Sequence, residues 1–181
     1  MQEGHLIEPD SQLNLDEYIL GASTGTLGFS TSPENLALAR ALSRQAQRSI
    51  AIYTRELEQR IYDDGELLKA LRNTAVAHPQ SRVRVLIRDS ERAVKYGHRL
   101  IELARHLSTH IEVRRPHADC PTENEAFLIA DDTGFFHRPL ADRYEGEASF
   151  HDPKRARELL DAFEAMWARS APDLEFRRLY I

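Results

Sequence analysis

Cysteine is almost missing from this chain of 181 residues. Cys120 is the only one, which excludes an internal disulfide and fits a reducing compartment. Long apolar runs are missing too. No stretch of about 18 apolar residues occurs, so no membrane-spanning helix is expected. The first ten residues, MQEGHLIEPD, lack the apolar centre of a secretory signal, and a cytoplasmic location is expected. Positive charge is not in excess. Lys and Arg total 24 against 29 Asp and Glu, a formal charge of −5, which argues against non-specific nucleic-acid binding. Glycine-rich phosphate loops are lacking as well: GASTGTLG, residues 21–28, is followed by no Lys-Ser/Thr pair. No internal repeat or low-complexity tract is found.

What is present reads as one globular domain. Hydrophobic residues make up 41% and charged residues 29%, enough for a core with a solvated surface. Residues 1–31 are weakly patterned and read as an arm that packs partly on the domain and is partly flexible, with Leu13, Leu15, Tyr18, Ile19 and Leu20 as its apolar patch. Residues 32–181 form the domain itself.

From Ser32 the periodicity is clear. Ser32 as N-cap and Pro33 in the first turn open a helix. SIAIYT, residues 49–54, reads as a strand. Residues 64–77 read as a helix with Leu67, Leu68, Leu71 and Ala75 on one face. RVRVLIR, residues 82–88, alternates as a strand. One long helix is then expected after Ser90, through Gly97 to Leu107. HIEVR, residues 110–114, is a short strand. Residues 126–131 are apolar on both faces, as in a central strand, and Asp132-Thr133-Gly134 turns the chain into a partner strand at 135–138. Residues 145–150 add a strand, and Asp152-Pro153 opens a last helix carrying Leu159, Leu160, Phe163 and Trp167 as core. The tail, 171–181, is expected to add an edge strand or dock on the core. The fold class is α/β, with a mixed sheet that begins parallel and is flanked by helices.

Residues 123–132, ENEAFLIADD, carry a further signal. On this strand Asn124, Ala126 and Asp131 stand at the spacing His-x-Lys-x4-Asp. The stretch resembles the motif strand of the phospholipase D-like superfamily, and so does the order of SIAIYT, LLKALRNTAV, RVRVLI and the closing EASFHDPKRARELLDAFEAMW. The resemblance covers roughly 33–169 and implies a single half-domain of that fold. The chain also resembles an uncharacterised bacterial subgroup of that superfamily, some of whose members are joined to acetyltransferase domains. In active members one motif His attacks phosphorus, a second protonates the leaving group, and Lys residues neutralise the phosphate. Here Asn124 cannot be that nucleophile and Ala126 carries no charge. FFHRPL stands where a Gly-Ser-x-Asn segment is expected. The motif is degenerate, and the resemblance implies a homodimer across the motif edge and an acetyltransferase as a partner.

Other residues suggest where binding could persist. Arg55, Arg88, Arg114, Arg115, His137 and Arg138 all stand at expected strand ends, and Asn124 should reach the same edge. An open α/β sheet places its pocket there, and guanidiniums suit a phosphate or carboxylate. The competing reading pairs these arginines with Glu56, Asp89, Glu112 and Asp131. Two function classes follow. One is a non-catalytic binding or regulatory domain for a phosphate-bearing or other anionic small molecule. The other is a divergent phosphodiesterase or phosphoryl-transfer enzyme using His137, Arg138 and Asn124, with His137 as displaced acid or base. No cofactor is expected. His98, His106 and His110 lack metal-ligand spacing, so no metal site is expected and they read as surface or capping histidines. His117 and Cys120 share one loop without a third partner, as an inert cysteine would.

Overall fold

A computed structural model describes residues 13–120, 124–173 and 176. The chain runs β1 (Leu27–Phe29), α1 (Ser32–Gln45), β2 (Ser49–Thr54), α2 (Gln59–Tyr62), α3 (Gly65–Ala77), β3 (Arg82–Ile87), α4 (Glu91–Tyr96), α5 (Arg99–His106), β4 (Ile111–Pro116), β5 (Ala126–Ala130), β6 (Gly134–Arg138), β7 (Gly146–Ser149), α6 (Pro153–Ala168) and β8 (Ser170–Pro172). The strands form one mixed sheet in the order β1-β7-β6-β5-β2-β3-β4-β8. β2, β3 and β4 are parallel. β5, with all five residues buried, pairs antiparallel with β2 and with β6. An apolar run on both faces requires this, because helices cover both sides of the sheet.

The two faces hold different cores. Ile50, Ile52, Val83, Val85, Leu128 and Phe136 face α1, α3 and α5 through residues such as Leu38, Leu42, Leu71 and Leu100. Tyr53, Leu86, Phe127, Ile129 and Phe135 face α6 through Leu159, Phe163 and Met166. Side chains alternate across a strand, so neighbours in sequence go to opposite cores.

Several expectations are corrected in detail. The cap of α1 is Thr31, not Ser32: its hydroxyl accepts from the Glu34 N–H, and the Glu34 carboxylate accepts from the Thr31 N–H at 3.0 Å, a reciprocal capping box. The long helix after Ser90 is two helices. Gly97, at φ +74°, leaves helical geometry, and the His98 ring restarts the chain by accepting from the Leu100 N–H at 3.2 Å. Ser90 makes no side-chain cap bond to α4. β1 and α2 were not foreseen: three residues of β1 pair with β7, and α2 is a single turn, both too short for a periodic signal. Trp167 is only partly buried, stacked on Phe163 and covered by the guanidinium of Arg114 at 4.4 Å. Of the tail, Ser170–Pro172 pairs with β4 and Phe176 is buried, while 174–175 and 177–181 lie outside the described residues, as does the arm before residue 13.

Candidate functional site

The carboxyl ends of β2 and β3 open onto a cleft of about 410 Å³. It lies where β2 has a parallel neighbour on one side and an antiparallel one on the other, the place where such sheets leave a crevice. Its walls come from the segment after β2 (Arg55 to Arg60), the first turn and end of α4 (Arg92, Tyr96), His98, and the segment after β6 (Ala141, Asp142, Tyr144). Leu57 is buried with φ +56°, a left-handed conformation that costs a non-glycine residue about 1–2 kcal/mol. Backbone strain of this kind concentrates at binding sites. Arg55 and Arg92 share one carboxylate, Glu56, at 3.8 and 3.7 Å. Both contacts are loose.

His98 lines the cleft but is almost wholly buried. Its Nδ1 accepts from the Leu100 N–H, so the neutral ring carries its proton on Nε2. Nε2 makes no hydrogen bond of normal geometry among the described residues. Burial lowers the His98 pKa, opposed by Asp63 and by a weaker interaction with the Leu57 backbone, and the ring therefore stays a neutral donor.

The strand edge next to the cleft is filled. Ala126 stands directly opposite Arg138 in the β5–β6 register, so both side chains lie on the α1 face. Arg138 is 1% exposed. Its guanidinium donates to Glu58 Oε1, to Asn35 Oδ1 at 3.1 Å and to the Ala141 carbonyl at 3.0 Å, and it lies 5.2 Å from the Tyr144 ring centre. The second Glu58 oxygen accepts from the Thr54 hydroxyl at 2.8 Å. Tyr62, fully buried beside this pair, has its hydroxyl pKa raised by burial and by Glu58, against an opposing effect of Arg138. A cation thus stands opposite Ala126, where Glu58 pairs with it and it is almost wholly buried.

The seven candidate residues fall into separate groups. Arg55 lines the cleft and Arg138 is buried beside it. His137 lies on the α6 face, where Nε2 meets Glu125 Oε2 at 2.8 Å and Nδ1 meets an Arg155 nitrogen at 3.4 Å. Arg88, at the end of β3, interacts with Tyr53, whose hydroxyl pKa is raised mainly by burial. Arg114 pairs with Glu112 at 2.5 Å and covers Trp167. On the other face Arg115 donates to the Ser90 hydroxyl at 2.8 Å and approaches Asp173 at 3.6 Å. Asn124 is exposed, and its carbonyl accepts from the Ala141 N–H at 2.7 Å. The pairings with Glu56 and Glu112 follow the ion-pair reading. Sequence reasoning missed Asn35, Glu58, Arg92, Tyr96 and Tyr144. Arg92 alone had a usable signal, since it sits in the first turn after a parallel strand.

Asp131, which keeps its place in the motif spacing, points away from this edge. Its carboxylate accepts from the N–H groups of Gln47, Arg48 and Ser49 at 2.8, 2.8 and 2.9 Å. Cys120 is buried and its N–H donates to the His117 carbonyl, while the His117 ring faces Asp119. No cluster of three metal-ligating groups occurs among the described residues. Among those residues, no helix is long and apolar enough to cross a membrane.

Solved structures share this architecture. The chain is similar to Nuc of Salmonella typhimurium, a phospholipase D family member, with TM-score 0.60 and 15% identity over 82% of this chain and 97% of that one. It is similar to NucT from Helicobacter pylori, with TM-score 0.57 and 10% identity over 82% and 99%. It is also similar to TrmBL2, an archaeal chromatin protein, with TM-score 0.59 and 15% identity over 83% of this chain and 54% of that one. At these identities the likeness is one of fold, and the fold is phospholipase D-like. No curated protein matches the sequence. A family model does match, over residues 31–179, which is nearly the whole domain, and the chain belongs to that family, described as a domain of unknown function (DUF7931).

Proposed function

We propose that this chain is a phospholipase D-like domain without phosphodiester chemistry, one that recognises a phosphate-bearing or other anionic small molecule in the cleft outside β2 and β3. The observation that carries this reading is the state of Arg138. Phosphoryl transfer on this fold needs a nucleophile and cations open to the substrate. Asn124 and Ala126 supply neither, and the guanidinium opposite Ala126 is spent on Glu58, Asn35 and Ala141. The cleft beside it suits an anion. Two guanidiniums share Glu56 loosely at its wall.

The second reading, an enzyme with relocated groups, has one observation in its favour: His137 and Glu125 form a close, mostly buried pair. Against it, Arg138 leaves β6 on the opposite face from His137, so the three residues it needs do not face one point.

An NMR titration with inorganic phosphate and with glycerol 3-phosphate tests the proposal. Saturable shifts at Arg55, Arg92 and His98 at millimolar ligand are expected. The Arg55→Ala/Arg92→Ala double variant should weaken binding by about tenfold or more, equivalent to ~1.4 kcal/mol. Saturable shifts confined to another surface, or none with either ligand, would overturn it.

A further inference from the structure

α4 is held at its two ends and hardly anywhere between. Before it, Asp89 donates its N–H to the Arg55 carbonyl at 2.7 Å, and its carboxylate accepts from the Glu91 N–H at 3.0 Å. The hydroxyl of the buried Ser90 accepts from Arg115 at 2.8 Å and does not cap the helix. After it, the buried His98 caps α5. Of the six residues of α4 only Ala93 is buried, and Val94 is partly so. α5, by comparison, buries Leu100, Ile101 and Ala104. A helix this short is not stable by its own propensity and depends on packing. Here the packing is one alanine and part of a valine.

Space lies on both sides of α4. The cleft of about 410 Å³ adjoins one side and a depression of about 300 Å³ the other, and Ala93, Tyr96 and His98 border both. Tyr96, the last residue of the helix, is 64% exposed, the most of any large apolar side chain among the described residues. Gly97 follows at φ +74° and ψ 158°, a conformation that essentially only glycine adopts. A Cβ on Gly97 would meet nothing within 4 Å. The glycine therefore serves the backbone rather than relieving a crowded contact, as at a hinge.

Arg92 gives the helix a reason to move. It is exposed on α4 and approaches Glu56, on the β2 side of the cleft, at 3.7 Å, longer than a hydrogen bond. Arg55 approaches the same carboxylate at 3.8 Å. An anion between the two guanidiniums would exchange these loose contacts for charge-assisted hydrogen bonds of about 2.7–2.9 Å. Shortening the contact to Arg92 draws α4 toward the cleft. We propose, on the anion-binding reading of the cleft, that α4 is its flap: residues 91–97 swing between the fixed points Ser90 and His98, open in the free chain and closed over an anion gripped by Arg92. The motion displaces solvent from the cleft and unpacks no large core side chain.

NMR relaxation dispersion tests the flap, with inorganic phosphate as the probe and the Arg55 shift, on the other wall, reporting occupancy. Microsecond-to-millisecond exchange is expected at residues 91–97 of the free chain and not in α5. Saturating phosphate should abolish it. Arg92→Gln should keep the exchange in the free chain and, at matched occupancy, keep it with phosphate bound. Flat profiles at 91–97 in the free wild-type chain would overturn the flap. So would exchange that persists once the Arg55 shift has saturated, or exchange that phosphate abolishes in Arg92→Gln as fully as in wild type. Each of these leaves anion binding intact. Absence of a saturable shift at Arg55 would instead remove the anion-binding reading, and ligand-driven closure with it.

Discussion

Asp131 has a structural role in the described fold. Its carboxylate closes the turn between α1 and β2, three residues that would otherwise leave N–H groups unpaired at a strand start. Asp131 also adopts φ +50°, a conformation that asparagine tolerates equally well. Asp131→Asn therefore isolates the carboxylate, and urea denaturation should show a loss of about 1–3 kcal/mol. Arg138 offers a second residue-scale test. Arg138→Met leaves Glu58 with only the Thr54 hydroxyl, at a cost of about 3–5 kcal/mol. Adding Glu58→Gln should recover part of that loss, because the penalty is an unpaired buried charge rather than a lost contact. His98 supplies a pH test. Its folded pKa lies below the ordinary 6.5, so the unfolded chain takes up a proton first as pH falls. Stability from the neutral ring is full above about pH 6.5 and declines below it. His98→Asn keeps a side-chain oxygen for the Leu100 N–H and removes the titration. Its melting temperature should fall less between pH 7 and 5 than that of the wild-type chain. Asp64 does not confuse this window. The Arg40 guanidinium holds its carboxyl below the ordinary 3.8, so its contribution is lost only at more acidic pH.

At the scale of elements, two glycines on neighbouring strands, the edge strand β1 and its partner β7, differ sharply. A Cβ on Gly146 in β7 would overlap the His137 carbonyl and the Phe29 ring, whereas one on Gly28 in β1 meets nothing. Gly146→Ala should cost about 1–3 kcal/mol by forcing β6 and β7 apart, and Gly28→Ala within about 0.5 kcal/mol of nothing, both read from thermal denaturation. The strands and long helices were legible because each carries a period its neighbours do not break. The site was less so. His137 and Arg138 are adjacent in sequence and so are Arg114 and Arg115, which made them look like shared edges. The pleat sends each pair to opposite faces, and period-two alternation alone would have separated them. Arg138's partners lie 103 and 80 residues away, at Asn35 and Glu58, and no local pattern joins them. The helix restart at Gly97–His98 was visible as a glycine inside an otherwise helical stretch, and its role follows from backbone freedom rather than packing.

At the scale of the whole molecule, the two edges of one sheet have separate characters. One edge ends in a cleft beside a buried guanidinium, Arg138, that is paired with Glu58. The other is lined by Arg44, Arg48, Lys69 and Arg82. The fold is shared with Nuc, a phospholipase D family member, and we propose that this chain does not perform phosphodiester chemistry. The most direct measurement is turnover of bis(p-nitrophenyl) phosphate by the purified chain and by its His137→Ala variant. The account predicts no release of p-nitrophenol above buffer from either protein. Turnover by the wild-type chain that disappears in His137→Ala would contradict it and assign the catalytic role to the His137–Glu125 pair.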